Sequence, residues 1–267
     1  MRGWIVCVGL LVLSGIVWVA EALQCEAVPG VLKQIDAGAG RVCGILKEGK
    51  VVEFRDGHWV ELEASGKHVS VGPAGLWRVG VDGLVFKWFR SGWVQVNPAG
   101  NLIQIDAGGD KFVVGCNASH SIFCLNHRPA LSYDGTGSVS WMAVPGKLKY
   151  YSCGPVGCWG VNQLDEIHVK LGVSGNSCHG PEKWYRIPGS LSMVEVSVDG
   201  EVHGVNKHGW VYKRIGVSAC NPFGSGWEHL RVAGLSSHVS YDRGALWIIC
   251  RNGDVQRCSF SEALSFE

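Results

Sequence analysis

The sequence has little net charge, few charged residues and almost no methionine. Its 24 Lys and Arg against 23 Asp and Glu leave a formal charge of +1, charged residues are 18% of 267, and Met numbers 3. A nucleic-acid partner requires a clearly basic face, so that class has no electrostatic support. Ala, Leu, Glu and Lys do not dominate, which argues against a helical chain. Missing too are the clustered Cys-x-x-Cys pairs of a zinc site, HExxH, a P-loop, an EF-hand loop and a nucleophile elbow. Beyond the amino terminus no apolar run is long enough to span a bilayer, and the tail Ser261-Glu262-Ala263-Leu264 lacks the hydrophobic end of a lipid-anchor signal. What is abundant is Gly, at 38, and Trp, at 12, within 46% hydrophobic residues. Gly is at roughly double its usual share, and the apolar content suffices for a packed core. The composition is that of a compact, turn-rich, all-β chain.

Residues 1–22 read as a signal peptide. Arg2 is the positive start, Trp4 to Ala20 the apolar stretch, and Ala20-Glu21-Ala22 the small-x-small processing site. A membrane anchor is the rival, but the run is short for a span. The expected mature chain begins near Leu23 and is soluble and extracellular. Setting aside Cys7, ten of the 11 Cys remain: Cys25, Cys43, Cys116, Cys124, Cys153, Cys158, Cys178, Cys220, Cys250 and Cys258. An even number in an exported chain reads as a disulfide framework.

Internal repeats organise the remainder. Trp59, Trp93, Trp141, Trp184 and Trp227 each open a similar phrase. Its clearest forms are Val144-Pro145-Gly146-Lys147-Leu148 and Ile187-Pro188-Gly189-Ser190-Leu191. Looser copies are Asn97-Pro98-Ala99-Gly100-Asn101-Leu102, Val232-Ala233-Gly234-Leu235 and Ser65-Gly66-Lys67, and a sixth follows Cys25 at Val28-Pro29-Gly30-Val31-Leu32. Short β-rich runs separated by glycine turns follow each phrase, and the openings are 34, 34, 48, 43 and 43 residues apart. A period of about 40 with about four short strands is one propeller blade. The expected repeats are about 25–58, 59–92, 93–140, 141–183, 184–226 and 227–260, in a single domain over 23–267. One Trp per blade at one register suits packing between blades, with sugar stacking as the lesser alternative. Trp88 and Trp159 fall off that register.

The order Trp, Val/Ile-Pro-Gly-x-Leu, a β run, Gly-Val and Gly-x-Val-Tyr/Phe resembles the tectonin repeat, and the mature chain from about Cys25 to Phe260 resembles the fish-egg lectin (leukolectin-like) family. The resemblance implies a six-bladed β-propeller that binds N-acetylglucosamine-type glycans, bacterial surface polysaccharides among them, in egg and innate defence without catalysis. Six-bladed sialidases share the architecture, but their Ser-x-Asp-x-Gly boxes and arginine triad are not found. The alternative function is a secreted scaffold for protein partners.

An amino-terminal strand completing the last blade would cover its edge, with a Cys25–Cys258 bond as the lock. Cys116–Cys124 across a hairpin, Cys153–Cys158 across a turn and Cys178–Cys220 between matching loops are the further expected pairs, leaving Cys43–Cys250 by subtraction. Asn117-Ala118-Ser119 is an N-glycosylation sequon in a hairpin loop. A neutral N-acetyl hexose needs a few fixed polar partners and an apolar surface. Each blade offers a polar hairpin residue, Asp82, Asn117, Asn162, Asn206 or Asn252, and most offer a basic residue by the third strand, Arg55, Lys87, Lys170, Lys213 or Arg257. The simpler reading, and the favoured one, is turn support for the first set and a solvated face for the second. Asp165-Glu166 lies on opposite faces of a strand and is a poor acid–base pair. Several equivalent shallow sites between blades would add up through avidity. Calcium dependence and homo-oligomerisation are left open by the residues.

Overall fold

The computed structural model describes residues 22–96 and 101–261; the expected leader apart from Ala22, the phrase Asn97-Pro98-Ala99-Gly100 and the tail residues Glu262-Ala263-Leu264 lie outside them. The chain is an all-β propeller. Strands β1 (Ala22–Gly38), β2 (Arg41–Leu46), β3 (Lys50–Arg55) and β4 (His58–Ser65) are followed by the sheet of β5 (His68–Gly72), β6 (Gly75–Val79), β7 (Val85–Phe89) and β8 (Gly92–Val96). Next come β9 (Leu102–Asp106), β10 (Val113–Asn117), β11 (Ser121–Leu125) and β12 (Met142–Lys147), then β13 (Tyr150–Gly154), β14 (Gly157–Val161), β15 (Glu166–Lys170) and β16 (Tyr185–Ser190). The sheet of β17 (Met193–Val196), β18 (Val202–Val205), β19 (Val211–Ile215) and β20 (Gly226–Leu230) precedes β21 (Ser236–Asp242), β22 (Ala245–Cys250) and β23 (Asp254–Ser261). Four sheets have four strands, and a seven-stranded sheet runs β21-β22-β23-β1-β2-β3-β4. In it, β1 pairs with β23 through Ala22–Val28 and, past an irregularity at Val28/Val31, with β2 through Leu32–Gly38. The first strands touch in sequence, β1 with β5, β5 with β9, β9 with β13, β13 with β17, β17 with β21, and β21 again with β1.

Each repeat Trp lies at or just before the outermost strand of its sheet and reaches across a seam. The indole N–H of Trp59 donates to the Pro29 carbonyl at 2.9 Å, Trp184 to Pro145 at 2.7 Å and Trp227 to Pro188 at 3.0 Å. The glycine after each proline explains the Pro-Gly pair. Gly146 and Gly189 have φ of 121° and 125°, a region that disfavours side chains, and a Cβ at either would sit 3.1 Å from the indole nitrogen of the next Trp. In β4 the acceptor is instead the Leu62 carbonyl, 2.9 Å from Trp93 Nε1, with Glu63 at a φ of 48°; the seam geometry there is carried by Leu62-Glu63 and not by Ser65-Gly66-Lys67. The off-register Trp159 has the same explanation as Trp77 and Trp247. All three sit on second strands, buried among the apolar residues between sheets.

The unequal repeat spacing comes from the connections between third and fourth strands. They are tight turns in the first two units, whereas later ones hold the helix α1 (His127–Ser132) with its following loop and the segments 171–184 and 216–225.

Three disulfides join described cysteines: Cys25–Cys258, Cys153–Cys158 and Cys124–Cys178. In the first and second the two residues are direct cross-strand partners, with Cα atoms 4.0 Å apart. The Cys116–Cys124 pairing is corrected for a geometric reason. Cys116 faces Ile122 and Cys124 faces Val114, so the two sulfurs lie on a diagonal, beyond the Cβ separation a disulfide accepts. Cys124 instead ties β11 to the segment after β15 through Cys178, which also removes the Cys178–Cys220 pairing; Cys220 is disulfide-bonded elsewhere. Cys43–Cys250 is corrected as well. Both are free, as is Cys116, and β23 and β1 stand between their strands. Cys116 occupies a position filled by Val79, Val161 and Val205 in other second strands, where a thiol serves as a small apolar group. Burial holds its pKa up at about 12.

The inner edges carry the ring's polar chemistry. A first strand pairs with a neighbour on one side only, so alternate N–H groups face the axis without a strand partner. The side chain of the preceding first strand supplies the acceptor. Val71 N–H donates to Asp36 at 2.6 Å, Ala107 to Ser70 at 2.8 Å, Cys153 to Asp106 at 2.9 Å, Val196 to Ser152 at 2.9 Å and Ala37 to Ser240 at 2.8 Å. Acid and serine alternate around the axis, with Glu195 as the third acid, accepting from Ser152 at 3.0 Å and Tyr150 at 2.9 Å. Burial, opposed in part by the hydrogen bonds it accepts, lifts Asp36 to about 6; burial and then mutual repulsion raise Asp106 and Glu195 well above the carboxylate range. Burial also pushes the nearby His68 and His238 down to about 3 and 4.

Replacing Cys25 by Ser is expected to lower unfolding stability by roughly 2–5 kcal/mol, since the bond closes a loop with a sequence separation of 233. A denaturant midpoint that does not move would refute this role. The raised Asp36 pKa gives a second prediction. Its stabilising share is present below the unfolded value of about 4 and lost as pH rises through about 6, a swing on the order of 3 kcal/mol. The depressed histidines act oppositely, losing their share as pH falls from about 6.5 toward 4 and 3. Asp36→Asn cannot ionise, so its stability relative to the parent protein should improve between pH 5 and pH 8; a constant difference in urea midpoint across that range is the contrary result.

Candidate functional site

Repetition of one seam creates the candidate sites. In four units, three residues past the first valine or isoleucine of the third strand lies a side chain that meets the seam Trp: Phe54 with Trp59 at 5.0 Å, Trp88 with Trp93 at 5.2 Å, Lys170 over Trp184 at 4.9 Å and Arg214 over Trp227 at 5.1 Å. One face of each of these indoles is thus packed within its sheet, and for Trp59, Trp184 and Trp227 a glycine of the preceding sheet lies close against the ring edge.

Three clefts open on such seams. The cleft between β13–β16 and β17–β20 has a volume of about 170 Å³ and is lined by Ile167, Gly189, Ser190, Leu191, Tyr212 and Trp227. Its walls are apolar and aromatic, with Ser190 at the rim. The cleft between β9–β12 and β13–β16, about 360 Å³, is polar, with Ser119, His120, Lys147, Asn162, Gln163 and Leu164. Lys147 Nζ donates to Ser121 Oγ at 2.7 Å, and Gln163 Nε2 lies 3.1 Å from His120 Nδ1. The cleft of about 470 Å³ between β1–β4 and β5–β8 combines Trp88 and Trp93 with Arg55, Glu61 and Glu63.

The Asn and Asp set occupies the hairpins mostly as turn support. Asn206 Oδ1 accepts from the N–H groups of His208 and Trp210, and Asn162 Oδ1 from those of Leu164 and Glu166. Asp82 and Asn252 sit two positions later in their hairpins and accept only from Leu84 and Asp254. This is the behaviour of a short side-chain oxygen that closes its own turn. Asn162 alone of the four also borders one of the clefts. The sequon residue Asn117 ends β10 half-buried, its Oδ1 accepting from Ser121 N–H at 2.9 Å.

The basic set divides by environment. Arg55 lines the cleft beside Trp88 and Trp93 but bonds Glu53; Lys213 pairs with Glu201 at 3.0 Å, and the exposed Arg257 with Glu26 at 3.1 Å. Lys87 and Lys170 are buried, contrary to a solvated face. Lys87 Nζ donates to the carbonyls of Leu131 and Tyr133, anchoring the end of α1, and Lys170 lies under the segment leading to Trp184 without a hydrogen-bond partner. Burial lowers both pKa values. Neither these two nor Lys213 reaches the three clefts. Trp227, for which the sequence offers sugar stacking as the lesser alternative, lines the apolar one together with Tyr212, Ile167 and Leu191, which sequence reasoning missed. The motif that could have found them is the Pro-Gly-x-Leu phrase facing the next Trp, because the same glycine that admits the indole leaves the cleft. Among the described residues no three His, Cys, Asp or Glu side chains gather as a metal-binding group, and no helix is long and apolar enough to cross a membrane.

Comparison with known proteins agrees with this repeat geometry. The family profile of the tectonin domain matches residues 31–251. The fish-egg lectin of Cyprinus carpio is 42% identical over 241 residues, covering 90% of this chain and 100% of that protein. Solved structures of similar shape are far more distant in sequence. The gluconolactonase XC5397 of Xanthomonas campestris superposes with a TM-score of 0.62 at 12% identity, covering 90% of this chain and 89% of that one. Virginiamycin B lyase of Staphylococcus aureus gives 0.57 at 13%, covering 90% and 99%. At such identities these two share the fold and nothing more. The seam motif, the profile match and the extent of the carp similarity together make this chain a member of the fish-egg lectin family of tectonin-domain proteins.

Proposed function

We propose that this protein is a secreted lectin for glycans carrying N-acetylglucosamine, acting on microbial surfaces without catalysing a reaction. The single observation that carries the reading is the seam cleft of Ile167, Gly189, Ser190, Leu191, Tyr212 and Trp227, in a chain similar along its length to a fish-egg lectin. An aromatic wall accepts the apolar face or acetyl methyl of an N-acetyl hexose, and the rim serine offers a polar contact. Counting the seven-stranded sheet as two blades that share β1 gives six blades closed by the amino-terminal strand, with one seam between each neighbouring pair. Weak sites on several seams would reinforce one another on a glycan-coated surface, where effective concentration replaces single-site affinity. Export through the leader and a glycan on Asn117 accord with the disulfides, which persist in oxidising compartments.

The protein is expected to bind immobilised chitin and elute with free N-acetylglucosamine. Tyr212→Ala should weaken retention, while Asn252→Ala, whose side chain closes a hairpin away from the three clefts, should leave it unchanged and cost about 1 kcal/mol of stability through its turn. Retention that resists free sugar would favour the protein-scaffold alternative, and release of product from a chromogenic glycoside would overturn the non-enzymatic reading.

A further inference from the structure

The apolar cleft does not end at Tyr212. That ring lies 5.2 Å from His229, His229 lies 5.5 Å from Trp210, and Trp210 lies 5.5 Å from His208, with interplanar angles of 32°, 37° and 37°. Strand register explains the row. Tyr212 pairs with His229 across β19 and β20, and Trp210, two residues before Tyr212, projects on the same side of the sheet. Trp210 is 47% exposed, the one Trp among the described residues that is largely open to solvent. At its register the other units carry Lys50, Leu84, Ser121, Glu166 and Asp254, so its presence is not a requirement of the seam. Its backbone N–H closes the Asn206 turn, which fixes where the ring is presented. The imidazoles of His208 and His229 are exposed and make no hydrogen bond with described residues, leaving their nitrogens for a ligand.

At about 170 Å³ the cleft is smaller than sites that enclose a drug-sized ligand, and it holds one sugar ring or its acetyl group. Any further residue of a glycan must lie outside, and the aromatic row is the surface that continues from the cleft. We propose that this seam binds an extended glycan, with one N-acetylhexosamine unit in the Tyr212–Trp227 cleft and a following ring stacked on Trp210 between the two imidazoles. The proposal rests on the lectin reading and makes this seam unlike the others in the ring. Sugar rings suit such a row because their C–H faces stack on aromatics while their hydroxyls reach polar edges.

Calorimetry with N-acetylglucosamine and its β1,4-linked trimer tests this on the parent protein, Trp210→Ala and Trp210→Phe. The parent should bind the trimer more tightly than the monosaccharide at one class of site. Trp210→Ala should lose that gain, up to about tenfold, with monosaccharide affinity and melting temperature unchanged, and Trp210→Phe should keep most of it. A trimer bound no more tightly than the monosaccharide by the parent, or a Trp210→Ala protein that binds the trimer like the parent, overturns the extended site while leaving the lectin reading intact. So does a Trp210→Ala change that alters only self-association. Absence of binding to either sugar overturns both.

Discussion

The inner edge of each sheet exposes backbone N–H groups that no strand can pair, and the ring depends on how they are satisfied. Side chains of the preceding first strand provide the acceptors: Asp36, Ser70, Asp106, Ser152 and Ser240. Each such bond joins one first strand to the next around the axis, so satisfying the edge also ties neighbouring inner strands together. The cost is concentration of acids in a buried region. Asp36, Asp106 and Glu195 respond by holding their protons more tightly, and His68 and His238 by giving theirs up. Polar side chains are retained there because an unpaired buried N–H costs about as much as a lost hydrogen bond, a penalty an apolar axis could not avoid.

At the periphery the indoles of Trp59, Trp93, Trp184 and Trp227 do the equivalent work, each giving its N–H to a carbonyl of the preceding sheet and its ring to the seam. Glycine at the bulge is needed for its φ and for the indole's closeness, and the same missing side chain opens a shallow cleft. Packing and cleft thus arise from one arrangement. The seams differ in what lines them: apolar beside Trp227, polar beside Asn162, mixed beside Trp88. Recurring structural residues with variable lining thus give one ring unlike clefts.

Periodicity made much of this legible. The Trp and Pro-Gly phrases, the glycine turns and the opposed Cys25 and Cys258 are local or strictly repeating features, and an all-β propeller follows from them because each short strand set has only its neighbours to bury against. Cys153–Cys158 was readable because five residues across a tight turn leave one register. The Asn and Asp hairpin residues were visible as a set, yet their two registers and their use in turn closure depend on where each N–H points.

By itself, the sequence determined the all-β strand-and-turn pattern and the recurring Trp and Pro-Gly phrases, since alternation and turn chemistry are local properties of the chain. Tertiary structure decided the rest. Cys124 meets Cys178 and not Cys116 because a diagonal across two strands is too long and a covering segment is close. Lys170 is buried because the segment before Trp184 folds over it, and Asp36 is held beside Ser240 from the far end of the chain, at 3.1 Å, because the ring brings its first and last inner strands together. Such contacts join residues with no fixed spacing, so only the closed arrangement of sheets sets their distance.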